Sequence, residues 1–191
     1  LFNLDSEKLG KVENNENFTI NPSNIRSIIA KKTTETKQQV PHFYLTIESN
    51  VDKLISLRKK INENNNQKVS FNDLIVKAIS LSIKKNPNTN VYWENDKIIK
   101  FETIDIAIAV ALDEGLITPI IKSANTKGLH KIAIESKDLV KKAKENKLNP
   151  DQYIGGSITV SNLGMFGINE FTAIINPPQP SIIAIGTIIK K

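Results

Sequence analysis

The chain alternates between stretches patterned for helices and stretches patterned for strands. Ile25, Ile28 and Ile29 recur at helical spacing, and the spacing predicts a helix that opens near Pro22-Ser23 and ends before Pro41. Proline fits a first helical turn, serine can cap it, and the residue before a later proline is pushed out of helical geometry. HFYLTIESNV, residues 42–51, is β-rich and predicts a strand. From about Val51 a second helix is predicted, with Leu54, Leu57 and Ile61 on one face and the ENNNQK loop at its end. Ser70 reads as the next N-cap, with Asp73 three residues on in a capping-box position. Leu74, Ile75, Ala78, Ile79 and Leu81 make the following helix apolar on more than one side and predict a well-buried element that Asn86-Pro87 stops.

The second half is richer in strands. VYWENDKIIKF predicts two short strands around Glu94-Asn95-Asp96, and IDIAIAVAL, a continuous run that is apolar but for Asp105, predicts a strand covered on both faces. Asp113-Glu114-Gly115 turns that run into LITPII. The clearest helix is LHKIAIESKDLVKKAKENK, with Leu129, Ile132, Ala133, Leu139, Val140 and Ala143 inside and lysines outside. SITV, FTAII and SIIAIGTII complete the predicted strands. Helices and strands in this irregular order predict a layered α/β domain rather than a strict βα alternation. Residues 1–20 are polar and Asn/Glu-rich, which predicts a linker or loosely attached arm ahead of a domain spanning 21–191.

Composition narrows the chemistry. The chain has 191 residues, enough for one domain with a sizeable core. With no cysteine, disulfides, thiolate metal sites and cysteine nucleophiles are excluded, and a reducing compartment fits. Two histidines, His42 and His130, are too few for a multi-histidine metal site, so no metal is expected. No apolar run approaches the roughly 20 residues that span a bilayer, and no membrane partner is expected. A net charge of +6 suits an anionic partner, either a phosphorylated cofactor or nucleic acid. The lysines at 141, 142, 144 and 147 gather at a helix end without interleaved aromatics, so they read as a solvated face and not as a nucleic-acid stripe.

The glycine-rich stretch GGSITVSNLGMFGINEF, from Gly155, is the one candidate for chemistry. It matches neither nucleotide-binding glycine motif, and no glycine stands two before Ser161 as a hydrolase elbow requires. By itself Ser161-Asn162-Leu163-Gly164 reads as a turn, with Asn162 bonding the backbone and Gly164 at positive φ. Neither His42 nor His130 has a neighbour suited to catalysis, and both read as structural or surface residues.

Several segments in order nonetheless resemble the catalytic domain of the dihydrolipoamide acyltransferases of 2-oxoacid dehydrogenase complexes. They are IRSIIAKKTTETKQQVPHFYLTIESNVDKLISLRKKIN, SFNDLIVKAISLSI, the long middle from NTNVYW to ESKDL, and KLNPDQYIGGSITVSNLGMFGINEFTAIINPPQPSIIAIG. SNLGMFGINEF followed by INPP is most similar to the acetyltransferase branch that serves pyruvate dehydrogenase. The resemblance implies an α/β fold like chloramphenicol acetyltransferase, a two-layer sandwich of mixed sheet and helices, and self-assembly into trimers that build a larger core. The decarboxylase and dihydrolipoamide dehydrogenase components would be its partners, in a bacterial cytoplasm or a mitochondrial matrix. It also implies acetyl transfer between dihydrolipoyl-lysine and coenzyme A, which enter a channel between subunits, with the lipoyl group carried on a separate domain.

By position, Ser161 would hydrogen-bond the tetrahedral oxyanion. Asn162 and the strand at Ile185-Gly186-Thr187 would line the coenzyme A arm, and Arg26, or its neighbours Lys31 and Lys32, would meet the cofactor phosphates. One departure is plain. The family's general base stands in an Asp-His-Arg-x-x-Asp-Gly motif, and neither histidine here stands in one. Both ends of the chain look cut, so the expectation is a fragment that supplies the oxyanion side of the site and is inactive alone. The alternatives are a non-catalytic core or assembly module, an acyltransferase for another 2-oxoacid, and, far behind, a basic nucleic-acid-binding module.

Overall fold

A four-stranded mixed sheet, backed by two helices, organises the molecule. In the computed structural model, residues 19–63 and 65–190 are described. The arm expected at 1–20 therefore lies almost wholly outside the described residues. The elements run α1 (Asn24–Gln39), α2 (Asp52–Glu63), α3 (Phe71–Lys85), β1 (Val91–Glu94), β2 (Lys97–Lys100), β3 (Ile106–Ile108), β4 (Val110–Leu112), β5 (Gly115–Ile117), β6 (Ile120–Ile121), α4 (Leu129–Lys144), β7 (Ile158–Asn162) and β8 (Ile182–Ile185). The central sheet has the order β6-β3-β7-β8; β3 and β7 are parallel, as are β7 and β8, while β6 runs antiparallel to β3. Hairpins β1-β2 and β4-β5 stand beside it. No helix of the described residues is long and apolar enough to cross a membrane.

The expected two-layer α/β architecture follows from where the apolar positions fall. Val76 and Ile83 of α3 and Ile132, Leu139 and Ala143 of α4 pack against Ile106, Ile108, Ile121, Ile158 and Val160 of the sheet in one buried cluster. A smaller cluster joins Val69, Leu74 and Ala133 to Leu54 and Ile61 of α2. Ser70 caps α3 in the reciprocal capping box with Asp73, a device worth ~1 kcal/mol. Ser23 caps α1 through the Arg26 amide, and Asn95 and Asp96 turn the β1-β2 hairpin with φ of 49° and 59°.

Four expectations are corrected. Residues 42–51 form no strand, because no neighbouring strand answers their backbone groups among the described residues. FTAII likewise pairs with no strand among the described residues and is irregular. IDIAIAVAL is not one strand: β3 pairs with β6 and β7, and beyond Ala109 the chain changes partner and folds with β5 as a separate hairpin. Finally α3 is not buried all round, since Ala78 and Leu81 are exposed.

A polar knot fixes where β3 and β7 begin. Asp105 accepts the Ser157 amide on its carbonyl at 2.7 Å and the Ser123 amide on its carboxylate at 2.7 Å. Ser157 Oγ accepts the Asp105 amide at 3.1 Å and donates to the Thr103 carbonyl at 3.1 Å. Every one of these bonds is internal, so the start of β7 is anchored before its functional end is reached.

Candidate active site

Strand β7 has two different faces. Ile158 and Val160 belong to the helix-covered core, so the alternation of a strand sends Thr159 and Ser161 to the opposite face. Asn162, on the helix side again, donates from Nδ2 to Asn72 Oδ1 on the first turn of α3 at 2.7 Å. Thr159 is fully buried, whereas Ser161 is half-buried and its hydroxyl makes no hydrogen bond with any of the described residues. A free serine hydroxyl at the open end of a polar strand face can donate to charge that develops in front of it.

The turn after Ser161 is held by backbone geometry. Asn162 Oδ1 accepts the Gly164 amide at 2.8 Å, so the asparagine does bond the local backbone as expected. The Leu163 amide donates to the Ile185 carbonyl at 3.0 Å, and a short 3₁₀ turn over Gly164–Phe166 follows. The positive φ lies not at Gly164, as the sequence suggested, but at Gly167, with φ 74°. Gly164 is needed for a different reason: a Cβ there would stand 2.6 Å from the Gly186 carbonyl oxygen. Gly186 is tighter still, because a Cβ would fall 1.8 Å from the Asn169 carbonyl oxygen. Two bare backbones thus cross, and the Thr187 amide donates to the Ile168 carbonyl at 2.8 Å beside the crossing.

Of the residues singled out from sequence, Ser161, Asn162, Ile185 and Thr187 are therefore brought together. Ser161 pairs with Ala184 and Asn162 with Ile185 across β7 and β8. Arg26 stands elsewhere, on the first turn of α1, where it forms an exposed ion pair of 3.7 Å with Glu114 in the β4-β5 turn. Lys31 pairs with Glu35 along α1 at 4.0 Å, and Lys32 donates to Asn176 Oδ1 at 2.7 Å.

Neither histidine is poised for proton transfer. His42 Nδ1 donates to the Val40 carbonyl at 2.7 Å while Nε2 accepts the Ile175 amide at 3.1 Å, so both ring nitrogens are engaged and the tautomer is set. His130 is exposed on the first turn of α4. No group of three or more His, Cys, Asp or Glu among the described residues is arranged to hold a metal ion.

Two residues escaped the sequence reading. Asn72 ties the turn to α3, and Gln179, 2% exposed, bonds Thr159 and Gly155. His42, read as a structural or surface residue, pins the segment before β8. Asn72 and Gln179 reach partners 90 and 20 residues away, so no local pattern marks them.

Residues 14–191 match the family of 2-oxoacid dehydrogenases acyltransferase (catalytic domain). The dihydrolipoyllysine-residue acetyltransferase component of the pyruvate dehydrogenase complex of Rickettsia felis is 48% identical over 183 residues, 93% of this chain and 44% of that protein. The chain thus spans less than half the length of that curated relative. Dihydrolipoamide acetyltransferase of Azotobacter vinelandii, where a serine, a histidine and an asparagine were investigated for their role in catalysis, superimposes with a TM-score of 0.84 at 26% identity. That match covers 90% of this chain and 73% of the other. The cubic core of the pyruvate dehydrogenase multienzyme complex matches equally, with a TM-score of 0.84 at 26% identity over 96% of this chain and 76% of that one.

Proposed function

Since the chain belongs to the 2-oxoacid dehydrogenase acyltransferase family through its catalytic domain, we propose that it serves acetyl transfer between a dihydrolipoyl group and coenzyme A. The observation that carries this reading is the unbonded hydroxyl of Ser161 at the open end of the polar face of β7. In the reaction a thiolate attacks the carbonyl carbon of the acetyl thioester, forming a C–S bond and placing the negative charge on the oxygen. Ser161 Oγ–H donates to that oxyanion; collapse reforms the carbonyl, breaks the other C–S bond and expels the second thiolate. A donor that strengthens only as charge develops lowers the barrier without tightening ground-state binding.

Asn162, Ile185 and Thr187 line the coenzyme A arm in this reading, supported by their convergence beside Ser161. Arg26 meets the cofactor phosphates, which the long pantetheine arm holds away from the thiol; its half-exposed, cationic place on α1 suits that contact. Thiol deprotonation falls to a group other than His42, whose ring nitrogens are both used, or His130. The lipoyl group arrives on a separate domain.

Copies of the chain assemble into trimers of a larger core, which works with the decarboxylase and dihydrolipoamide dehydrogenase components. The apolar side chains of Phe43, Leu45 and Ile47 stand 83%, 84% and 84% exposed, as expected of a surface that another copy covers. The cysteine-free composition suits the reducing interior of a bacterial cytoplasm or a mitochondrial matrix. Full engagement of His42 favours a second reading, a core module that assembles without catalysing.

Ser161→Ala in the complete, assembled protein separates the two. Loss of one oxyanion donor is expected to lower kcat about a hundredfold or more, with the assembly intact and the KM for coenzyme A little changed. An unchanged kcat would remove Ser161 from the chemistry.

A further inference from the structure

Ser161 sits where β7 loses a neighbour. β3 pairs with β7 at Ile158, Thr159 and Val160, and the Ala109 amide makes the last contact on that side, with the Val160 carbonyl at 2.8 Å. Beyond it Ser161 and Asn162 have β8 as their only strand partner, which is itself the edge of the sheet, and Asn162 alone is also tied by its side chain to Asn72. Whatever sets the register of β8 therefore sets the placement of Ser161. A slip of one residue along a strand would reverse which side chains face the reaction and move every carbonyl that the turn uses.

The segment that delivers β8 is pinned by one buried side chain. Gln179 lies three residues before Ile182, the first paired residue of β8, and Ile182 is the Cα partner of Thr159. The Gln179 amide oxygen accepts the Thr159 hydroxyl, and its Nε2 donates to the Gly155 carbonyl at 2.7 Å. Its own backbone amide donates to the Asn176 carbonyl at 3.1 Å. Gly156 leaves room for this amide: a Cβ there would lie 2.9 Å from Nε2. Thr159 and Gln179 are 1% and 2% exposed, so neither can touch substrate. An apolar pair of the same shape could fill the space at similar stability, whereas hydrogen bonds add direction. One end of the amide holds the anchored start of β7, the other the position opposite β8.

We propose that Gln179 is a positioning residue that locks the register of β8 against β7 and so places the Ser161 hydroxyl; this rests on the oxyanion role proposed for Ser161. Three variants of the complete, assembled protein test it: T159V, T159V/Q179L and, as a control, S161A. The double variant is expected to keep a thermal midpoint close to the parent's while kcat falls about tenfold or more and the KM for coenzyme A stays within about twofold, since small misplacements of a catalytic donor are costly. T159V, the gentlest change, is expected to lower kcat about threefold on the same ground. Hydrogen exchange at the Leu163 amide, which reads its bond to the Ile185 carbonyl, should quicken in the double variant and not in S161A.

Parent-level kcat in T159V and the double variant, beside an impaired S161A, overturns the register lock alone. An unimpaired S161A overturns the oxyanion reading on which it rests. If the double variant does not fold, T159V decides: unchanged kcat and unchanged Leu163 exchange overturn the proposal.

Discussion

Residues 158–187 and residues 42–51 are both rich in apolar and β-branched side chains, yet their fates in the structure are opposite. At the two ends of the first region backbone groups are answered within the chain: β7 pairs with β3 and β8, the turn folds back on the Ile185 carbonyl, and Gly186 meets Asn169 with no room for a side chain. In the second, three apolar side chains stand more than four-fifths exposed and no ladder forms among the described residues. Its links to the rest of the chain are made by side chains, with Thr46 Oγ1 donating to Glu170 at 3.0 Å and His42 accepting the Ile175 amide. The difference teaches that strand patterning states only a readiness to pair. Whether a strand exists depends on a neighbour, and a segment with no paired neighbour among the described residues presents an apolar surface there.

The comparison can be broken most sharply at Gly186. Gly186→Ala forces a methyl group into the Asn169 carbonyl, and the crossing of two backbones leaves no flexible side chain to give way. Destabilisation of about 3 kcal/mol or more is expected, by denaturant midpoint, together with loss of activity. A fully stable, active variant would show that the crossing is not needed.

At the exposed segment the expected pattern is reversed. Leu45→Ser, a change at an 84% exposed position, should alter the stability of the isolated chain by no more than about 0.5 kcal/mol. Self-association, followed by sedimentation, should weaken about tenfold or more if Leu45 is a central contact between copies. Unaltered association would remove the segment from the interface.

The smallest effect is expected at Arg26, whose ion pair with Glu114 is exposed on both sides. Arg26→Ala should cost about 0.5 kcal/mol or less in stability and raise the KM for coenzyme A about threefold to tenfold, leaving kcat alone. An unchanged KM would end its assignment to the cofactor phosphates.

Much of the fold was legible because its signals are local. The capping box at Ser70 and Asp73 needs four consecutive residues, and the apolar face of α4 repeats every three or four. The paired strands around Asn95 and Asp96 followed from a turn that tolerates positive φ. The division of IDIAIAVAL did not, since β3 and β4 differ in their partners and not in their composition. At the site, Ser161 and Asn162 were marked by the family resemblance of their stretch, since the glycine-rich pattern by itself reads as a turn, and the reason for Gly164 was misread. Its requirement comes from the Gly186 carbonyl, which approaches from 22 positions further along the chain.

The sequence alone determined the helices, the caps at Ser23 and Ser70 and the layered α/β class, because each depends on residues within a turn or two of one another, while the stretch in which chemistry should be sought came from the resemblance of whole segments to a family. The tertiary structure decided which apolar runs became strands, which face of β7 stayed open, and how Asn72 meets Asn162, Gln179 meets Thr159 and Gly186 meets Asn169 around the strand that carries Ser161. Those outcomes rest on hydrogen-bond direction and close backbone approach between distant segments, and neither exists until the chain has folded.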